Sequence, residues 1–281
     1  MRVARPRTIS EALSALDDNP GSQLLAGGTD FCVEVNYGHR RPEGVVCLRR
    51  VAELRDFEVG DGKIRIGAGT TYTEMVKRLS GVLPALAAAA RTVGSPQIRN
   101  AGTLGGNVAT ASPAGDTLPL LAALDAEVVL VSSKARRVVP LNELITGVKT
   151  TTIGPGEMVA EVVVPRISGP QHFLKVGTRN AMVISIASAA VVVDLQAQVV
   201  RCGLGSVGPV PIRASRAEEM ISEAIDWDDL SAPKAALERF GDLAAEAARP
   251  ITDHRSTADY RKRAVAVIAA RAMRRSLTRV T

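Results

Sequence analysis

Ala26-Gly27-Gly28-Thr29-Asp30 and Thr103-Leu104-Gly105-Gly106-Asn107 each set adjacent glycines among hydroxyl, amide or carboxylate side chains and beside apolar runs. A Gly-Gly step lets the backbone take φ > 0 and removes the Cβ atoms that would hold a ligand away. Successive exposed N–H groups then form a concave anion cradle without any lysine. Thr29, Thr103 and Asn107 add side-chain donors. Two such cradles, far apart in the sequence, suit a ligand with two linked phosphates, such as a dinucleotide.

The chain around them has 281 residues, enough for a full core and two domains. Aromatic residues make up only 3%, so the core is expected to be built from Ala, Val, Leu and Ile. The first residues, broken by charge and by Pro6, do not read as a secretory signal. No apolar stretch reaches the roughly 20 residues of a membrane helix, and a cytoplasmic protein is expected. The net charge of +6 gathers in Arg261-Lys262-Arg263 and in residues 271–279. Without an aromatic platform or helix-turn-helix pattern, that excess reads as a solvated or partner-facing helix end rather than a nucleic-acid surface. Cys32, Cys47 and Cys202 are too few and too dispersed for an iron–sulfur cluster, which takes four cysteines. His39, His172 and His254 show no metal-ligand spacing, so no metal centre is expected in this chain.

Apolar periodicity predicts an α+β chain. Thr8-Ile9-Ser10-Glu11 is a capping box opening a helix with Ile9, Ala12, Leu13 and Leu16 on one face. Strands are predicted at residues 23–26, 45–48, 63–69, 127–131, 138–140 and 158–164. Helices are predicted at 73–79, 83–91 and 118–124, the alanine-rich 83–91 being buried. Beyond Gly169-Pro170, which marks a boundary, strands at 173–176, 184–195 and 199–202 precede helices at 215–225, 233–247 and 256–277. Gly203-Leu204-Gly205-Ser206-Val207-Gly208 matches G-x-G-x-x-G, but Pro209 and Pro211 forbid the helix a dinucleotide fingerprint needs, so a structural glycine turn is expected. Gly67-Ala68-Gly69 lacks the third glycine. Neither opening segment is a P-loop, since both lack the G-K-[ST] ending.

The second glycine segment belongs to a longer block, from Gly94-Ser95-Pro96-Gln97-Ile98-Arg99-Asn100-Ala101-Gly102 through Thr103-Leu104-Gly105-Gly106-Asn107 to Ser112-Pro113-Ala114-Gly115-Asp116. This block resembles the flavin-binding signature of the molybdenum hydroxylases, the group of xanthine dehydrogenase and the aerobic carbon monoxide dehydrogenases. The first segment resembles that family's first flavin loop. His172-Phe173-Leu174-Lys175-Val176-Gly177-Thr178-Arg179 is similar to the start of its C-terminal domain, and Asp253-His254-Arg255-Ser256-Thr257-Ala258-Asp259-Tyr260-Arg261 to its closing motif. The likeness runs nearly end to end.

The resemblance implies a two-lobed FAD-binding domain of the vanillyl-alcohol-oxidase (PCMH) type over 1–168, with sub-lobes of about 1–57 and 58–168. A smaller α+β C-terminal domain comes after it, over 169–281. Carried over residue by residue, Leu24, Leu25, Ala26, Gly27, Gly28, Thr29, Asp30 and Phe31 form one loop around the pyrophosphate. Thr103, Leu104, Gly105, Gly106 and Asn107 form the other. Asp116 matches a carboxylate that contacts FAD, and Val159 and Lys175 match positions lining the flavin. Asp116 would equally serve as an N-cap for helix 118–124, and Lys175 as an exposed strand lysine. Val93 stands where some relatives carry an aromatic ring, so stacking is lost there.

By the same resemblance no side chain acts as a catalytic nucleophile; the noncovalent cofactor carries the chemistry. The chain is then the FAD-containing electron-transfer subunit of a molybdenum hydroxylase. It receives electrons from two [2Fe-2S] clusters in a small partner subunit, with molybdopterin in a large one, and delivers them to NAD+, a quinone or oxygen. An (αβγ)2 assembly is expected. The alternatives are a stand-alone PCMH-type flavin reductase, for which the second half lacks an obvious Ser/Glu proton-donor pair, and a non-catalytic nucleotide-binding module.

Overall fold

The computed structural model describes residues 2–280. Arg2–Ala4 (β1), Ser22–Leu25 (β2) and Gly44–Cys47 (β3) form a parallel sheet in the order β1-β3-β2. Parallel neighbours need a crossover, and helix α1 (Ile9–Asp17) supplies one between β1 and β2. Its start is set by Thr8, whose hydroxyl accepts from the Glu11 amide at 3.1 Å, and Ala12, Leu13 and Leu16 are its buried face. The first glycine segment leaves β2 directly and enters a short helix, α2 (Phe31–Asn36), which the glycine pattern does not announce.

A second, antiparallel sheet has the order β4-β5-β10-β6-β7. Its strands are Phe57–Val59 (β4), Lys63–Gly67 (β5), Glu127–Val131 (β6), Arg136–Pro140 (β7) and, after a small hairpin of Ile145–Gly147 (β8) and Thr150–Thr151 (β9), Met158–Pro165 (β10). Central β10 is apolar along nearly its whole length because both its faces are covered. Five helices lie between β5 and β6: Tyr72–Arg78 (α3), Pro84–Thr92 (α4), Pro96–Ala101 (α5), Leu104–Thr110 (α6) and Leu118–Ala123 (α7). A four-residue helix, Leu141–Leu144 (α8), comes after β7. As its composition predicts, α4 buries Ala85, Leu86, Ala87, Ala89 and Ala90.

The third sheet joins Gln171–Val176 (β11), Ala187–Asp194 (β12), Val199–Gly205 (β13) and Ile212–Arg213 (β14) antiparallel and in chain order. Alternation along β12 serves two cores. Ala190 and Val192 pack with the first 167 residues, and Ala189, Val191 and Val193 pack with the strand and helices beyond β12. Helices α4 and α7 contact one side of the sheet; Ser215–Ala224 (α9) and Ala258–Ser276 (α11) pack on it as well, and Lys234–Ala247 (α10) packs on α9 and α11. Strand β12 begins at Ala187 rather than 184. Gly203 and Gly205 are not in a turn, as the sequence predicts, but inside β13, where α7 lies directly on the strand. A Cβ at Gly203 would meet the Pro119 carbonyl oxygen at 1.8 Å.

Not all of the C-terminal basic excess is solvated. Arg261 is 4% exposed. Its guanidinium donates to the carbonyls of Ile186 (2.8 Å) and Ser206 (2.9 Å) and to Asp253 Oδ1 (2.7 Å), tying α11 to the sheet. Burial opposes ionisation of Asp253. The amides of Arg255 and Ser256 and the Arg261 guanidinium outweigh it and hold the carboxyl at about 2. A carboxyl whose pKa is depressed on folding stabilises fully above its unfolded value near 4, and that contribution fades as pH falls toward the folded value. Asp253→Asn is therefore expected to lower stability at neutral pH and to flatten the stability–pH curve between about pH 5 and pH 2. Urea unfolding across that range measures both effects.

Candidate functional site

The chain turns after β2 at Gly28, whose φ of +73° suits glycine alone at no steric cost. At Gly27 the reason for glycine is proximity. A Cβ there would lie 2.0 Å from the Ala101 carbonyl oxygen and 2.8 Å from Gly102 Cα. The two glycine segments therefore meet, the first lying against the residues immediately before the second. Leu24 and Leu25 end β2, and all of residues 24–31 are half-buried. The backbone N–H groups of Gly27, Gly28, Thr29 and Asp30 have no acceptor among the described residues, nor does the Thr29 hydroxyl have a partner.

The second segment differs from its expectation. It is not an open turn but the start of α6, with Thr103 as N-cap, its hydroxyl accepting from the Gly106 amide at 3.1 Å. Leu104 N–H donates to the Thr70 carbonyl (3.0 Å), Gly105 N–H to Ala68 (2.8 Å) and Asn107 N–H to Thr103 (3.0 Å). The amides of residues 104–107 are thus satisfied inside the protein, as helix N-terminal donors must be when water is excluded, and of this segment the Thr103 N–H alone has no acceptor among the described residues. The glycines here permit close approach: a Cβ at Gly105 would sit 2.5 Å from Ala68 Cβ. At Gly106 a Cβ would meet only Thr103 Oγ1, at 2.9 Å, leaving the rest of that position open. Asn107 supplies the remaining donors. Its carbonyl oxygen accepts from the Thr117 hydroxyl at 2.5 Å, and its NH2 group has no acceptor among the described residues. Ala68 N–H donates to the Ala160 carbonyl (2.8 Å) at a β-bulge, so Ala160 is two hydrogen bonds from Gly105 and buried Val159 is its chain neighbour.

Asp116 is 6% exposed and does not cap α7, whose N-cap is Thr117. Its Oδ1 accepts from the Ser185 hydroxyl (2.6 Å); its Oδ2 accepts from Lys175 Nζ (2.5 Å) and the Thr92 hydroxyl (3.1 Å). Lys175 also donates to the carbonyls of Thr92 (3.2 Å) and Val183 (3.0 Å), so it is a buried partner and not an exposed strand lysine. Desolvation makes such a pair costly unless further hydrogen bonds complete both ions, which they do here. The pair joins the end of α4 and the approach to α7 to the third sheet.

Three residues that no sequence motif singles out complete the surroundings. Tyr72 packs its ring where a Gly102 side chain would be, 2.6 Å from the ideal Cβ. Burial pushes its phenol upward, and the charges of Asp116 and Asp30 push the same way, so that it stays protonated. Lys149, at the tip of the β8–β9 hairpin, lies 2.7 Å from Glu34 and 3.6 Å from Asp30. Arg40 lies 2.9 Å from Glu34 and stacks over the Phe31 ring at 5.2 Å. These positions escape motif reading because each acts through a partner distant in sequence or through side-chain stacking. An open groove of about 440 Å³ near Asp17, Lys134, Arg137 and Glu157 holds none of the residues named above.

The profile of the FAD binding domain in molybdopterin dehydrogenase matches residues 1–167, and that of the CO dehydrogenase flavoprotein C-terminal domain matches residues 172–276. The chain is 33% identical over 230 residues to the xanthine dehydrogenase FAD-binding subunit of Escherichia coli O157:H7, covering 78% of each. It is 34% identical to the nicotinate dehydrogenase FAD-subunit of Eubacterium barkeri, covering 77% of each. A chain of the reconstituted CO dehydrogenase from Oligotropha carboxidovorans superimposes with a TM-score of 0.88 at 27% identity, over 98% of this chain and 97% of that one. The protein belongs to the FAD-binding flavoproteins of the molybdenum hydroxylases, and is thus the flavoprotein component of an oxidoreductase. No helix among the described residues is long and apolar enough to cross a membrane.

Lys175→Met leaves the Asp116 carboxylate buried without its counter-charge and is expected to cost about 3–5 kcal/mol. Adding Asp116→Asn should recover much of that loss, since Asn still accepts from Ser185. Denaturant unfolding of the two variants checks the pair.

Proposed function

We propose that the chain holds one FAD noncovalently, with its diphosphate between residues 24–31 and residues 103–107, and serves as an electron relay. Electrons arrive from [2Fe-2S] clusters in a small partner subunit and leave to NAD+, a quinone or oxygen. Substrate is oxidised at molybdopterin in a large partner subunit, within an (αβγ)2 assembly in the cytoplasm. Residues 1–168 form the cofactor-binding unit, and 169–281 form a second unit that contributes Lys175. The observation that carries this reading is the run of four acceptor-less amides from Gly27 to Asp30, packed at Gly27 against Ala101 and Gly102, the residues that lead into the segment whose Gly106 position is left open by the lack of a side chain.

A diphosphate needs several donors at once, and each charge-assisted hydrogen bond is worth roughly 1.5–3 kcal/mol. The Thr29 hydroxyl and the Asn107 NH2 group add side-chain donors to the four amides. Asp116 cannot face a phosphate closely; fixed by Lys175, Ser185 and Thr92, it accepts from a donor on the cofactor instead. Tyr72, kept protonated, is a further donor, and Val159 supplies apolar wall. FAD, when bound, accepts and releases electrons; the protein binds it, orients it and fixes the charges around it.

Purified chain is expected to be yellow, with flavin absorbance and no iron or molybdenum signal. Gly106→Val fills the open side of the helix start and should weaken FAD binding about a hundredfold, the loss of one or two such hydrogen bonds. Flavin content per folded chain, read by absorbance after release, reports it. Full occupancy in folded Gly106→Val protein contradicts this placement of the cofactor.

A further inference from the structure

The β8–β9 hairpin places one residue, Lys149, between the first glycine segment and the C-terminal end of the helix that the second one opens. Its backbone lies in the left-handed region, φ +52°, as tight hairpins require. Its amide donates at 3.1 Å to the carbonyl of Ala111, the C-cap of α6. From that anchor its ammonium spans to the first segment, 2.7 Å from Glu34 Oε1 and 3.6 Å from Asp30 Oδ2. Asp30 is itself one of the residues with a free amide, and Glu34 lies one turn further along α2.

Two carboxylates this close to a row of amides are unfavourable for an anion site, because they oppose the charge the amides would attract. Arg40, 2.9 Å from Glu34, supplies one compensating charge. Lys149 supplies the other, and with it the cluster of Asp30, Glu34, Arg40 and Lys149 is neutral. Its hydrogen bond to Glu34 holds that carboxyl below the usual range, so both partners are charged at neutral pH. The side chains of Lys149 and Asp30 are 44% and 45% exposed, and ion pairs so exposed add little to fold stability.

We propose that Lys149 is a positioning and charge-compensating residue for cofactor binding, cancelling the second carboxylate charge beside the first glycine segment so that a diphosphate is accepted there. It acts through Asp30 and Glu34 rather than by touching phosphate. This inference rests on the reading that residues 27–30 hold the FAD diphosphate.

The test is titration of flavin-stripped full-length chain with FAD, monitored by flavin fluorescence at about 50 mM salt. Lys149→Met is expected to weaken binding roughly tenfold, with little change in the thermal midpoint of the flavin-free chain. Raising salt to about 1 M, where the screening length falls to about 3 Å, should shrink that penalty. Glu34→Gln combined with Lys149→Met should restore most of the affinity, and Lys149→Arg should bind nearly as the native chain does. A mere packing role for the hairpin would respond neither to salt nor to loss of the Glu34 charge, and that result overturns the inference. So does native-like affinity in Lys149→Met. If Gly106→Val also binds FAD normally, the placement of the cofactor fails and the inference with it; if only Lys149→Met does, the charge argument alone fails.

Discussion

A side chain at position 27 would drive its Cβ to 2.0 Å from the Ala101 carbonyl oxygen, so two stretches of chain separated by every element from α2 to α4 lie together only because glycine stands there. The donor arrangement depends on that contact. On one side, a chain of hydrogen bonds from the Ala160 carbonyl through Ala68 to the Gly105 amide fixes α6 on the central strand β10 and uses the donors of its first turn internally. On the other, residues 27–30 leave β2 with their amides pointing at no protein acceptor. The proposed site is asymmetric: the first segment offers main-chain donors, and the second offers a rigid wall, an open position at Gly106 and the Asn107 side chain.

The second half of the chain is part of this arrangement rather than an appendage. Lys175 and Ser185 come from β11 and the loop before β12, yet they complete the coordination of Asp116 from the first half. Alternate residues of β12 belong to separate cores, and Gly203 lets α7 rest on β13. Arg261 clamps α11 onto the same sheet through two carbonyls and Asp253. A buried ion pair gains little net energy, but it is strongly disfavoured when broken, which makes the Asp116–Lys175 pair a fixed electrostatic reference between the two halves of the chain.

Much of this is legible in the residues, and the exceptions have physical causes. Periodicity locates most strands and the long helices, and the alanine-rich composition of α4 signals its burial, since small side chains pack closely there. The glycine pairs mark two stretches that the fold brings together at Gly27. What they do not reveal is that Thr103 caps a helix: Gly-Gly in a first turn is unfavourable by propensity and reads as a turn, and only tertiary partners at Thr70 and Ala68 settle the matter. Gly203 and Gly205 mislead in the same way, their role set by a helix more than eighty residues earlier in the chain. Lys149, Tyr72 and the partnership of Asp116 with Lys175 depend on long-range contacts that no local pattern encodes.

The central claim is that the donors for the diphosphate are the amides of residues 27–30, while those of residues 104–107 are already engaged. Amide hydrogen exchange on the flavin-free and FAD-loaded chain, resolved by residue with 15N NMR, tests it directly. The amides of Gly27, Gly28, Thr29 and Asp30 should exchange fast without FAD and become protected when it is bound. Those of Leu104, Gly105 and Asn107 should be protected in both states. Unchanged exchange at residues 27–30 on FAD binding, with new protection at residues 104–107 instead, would contradict the account.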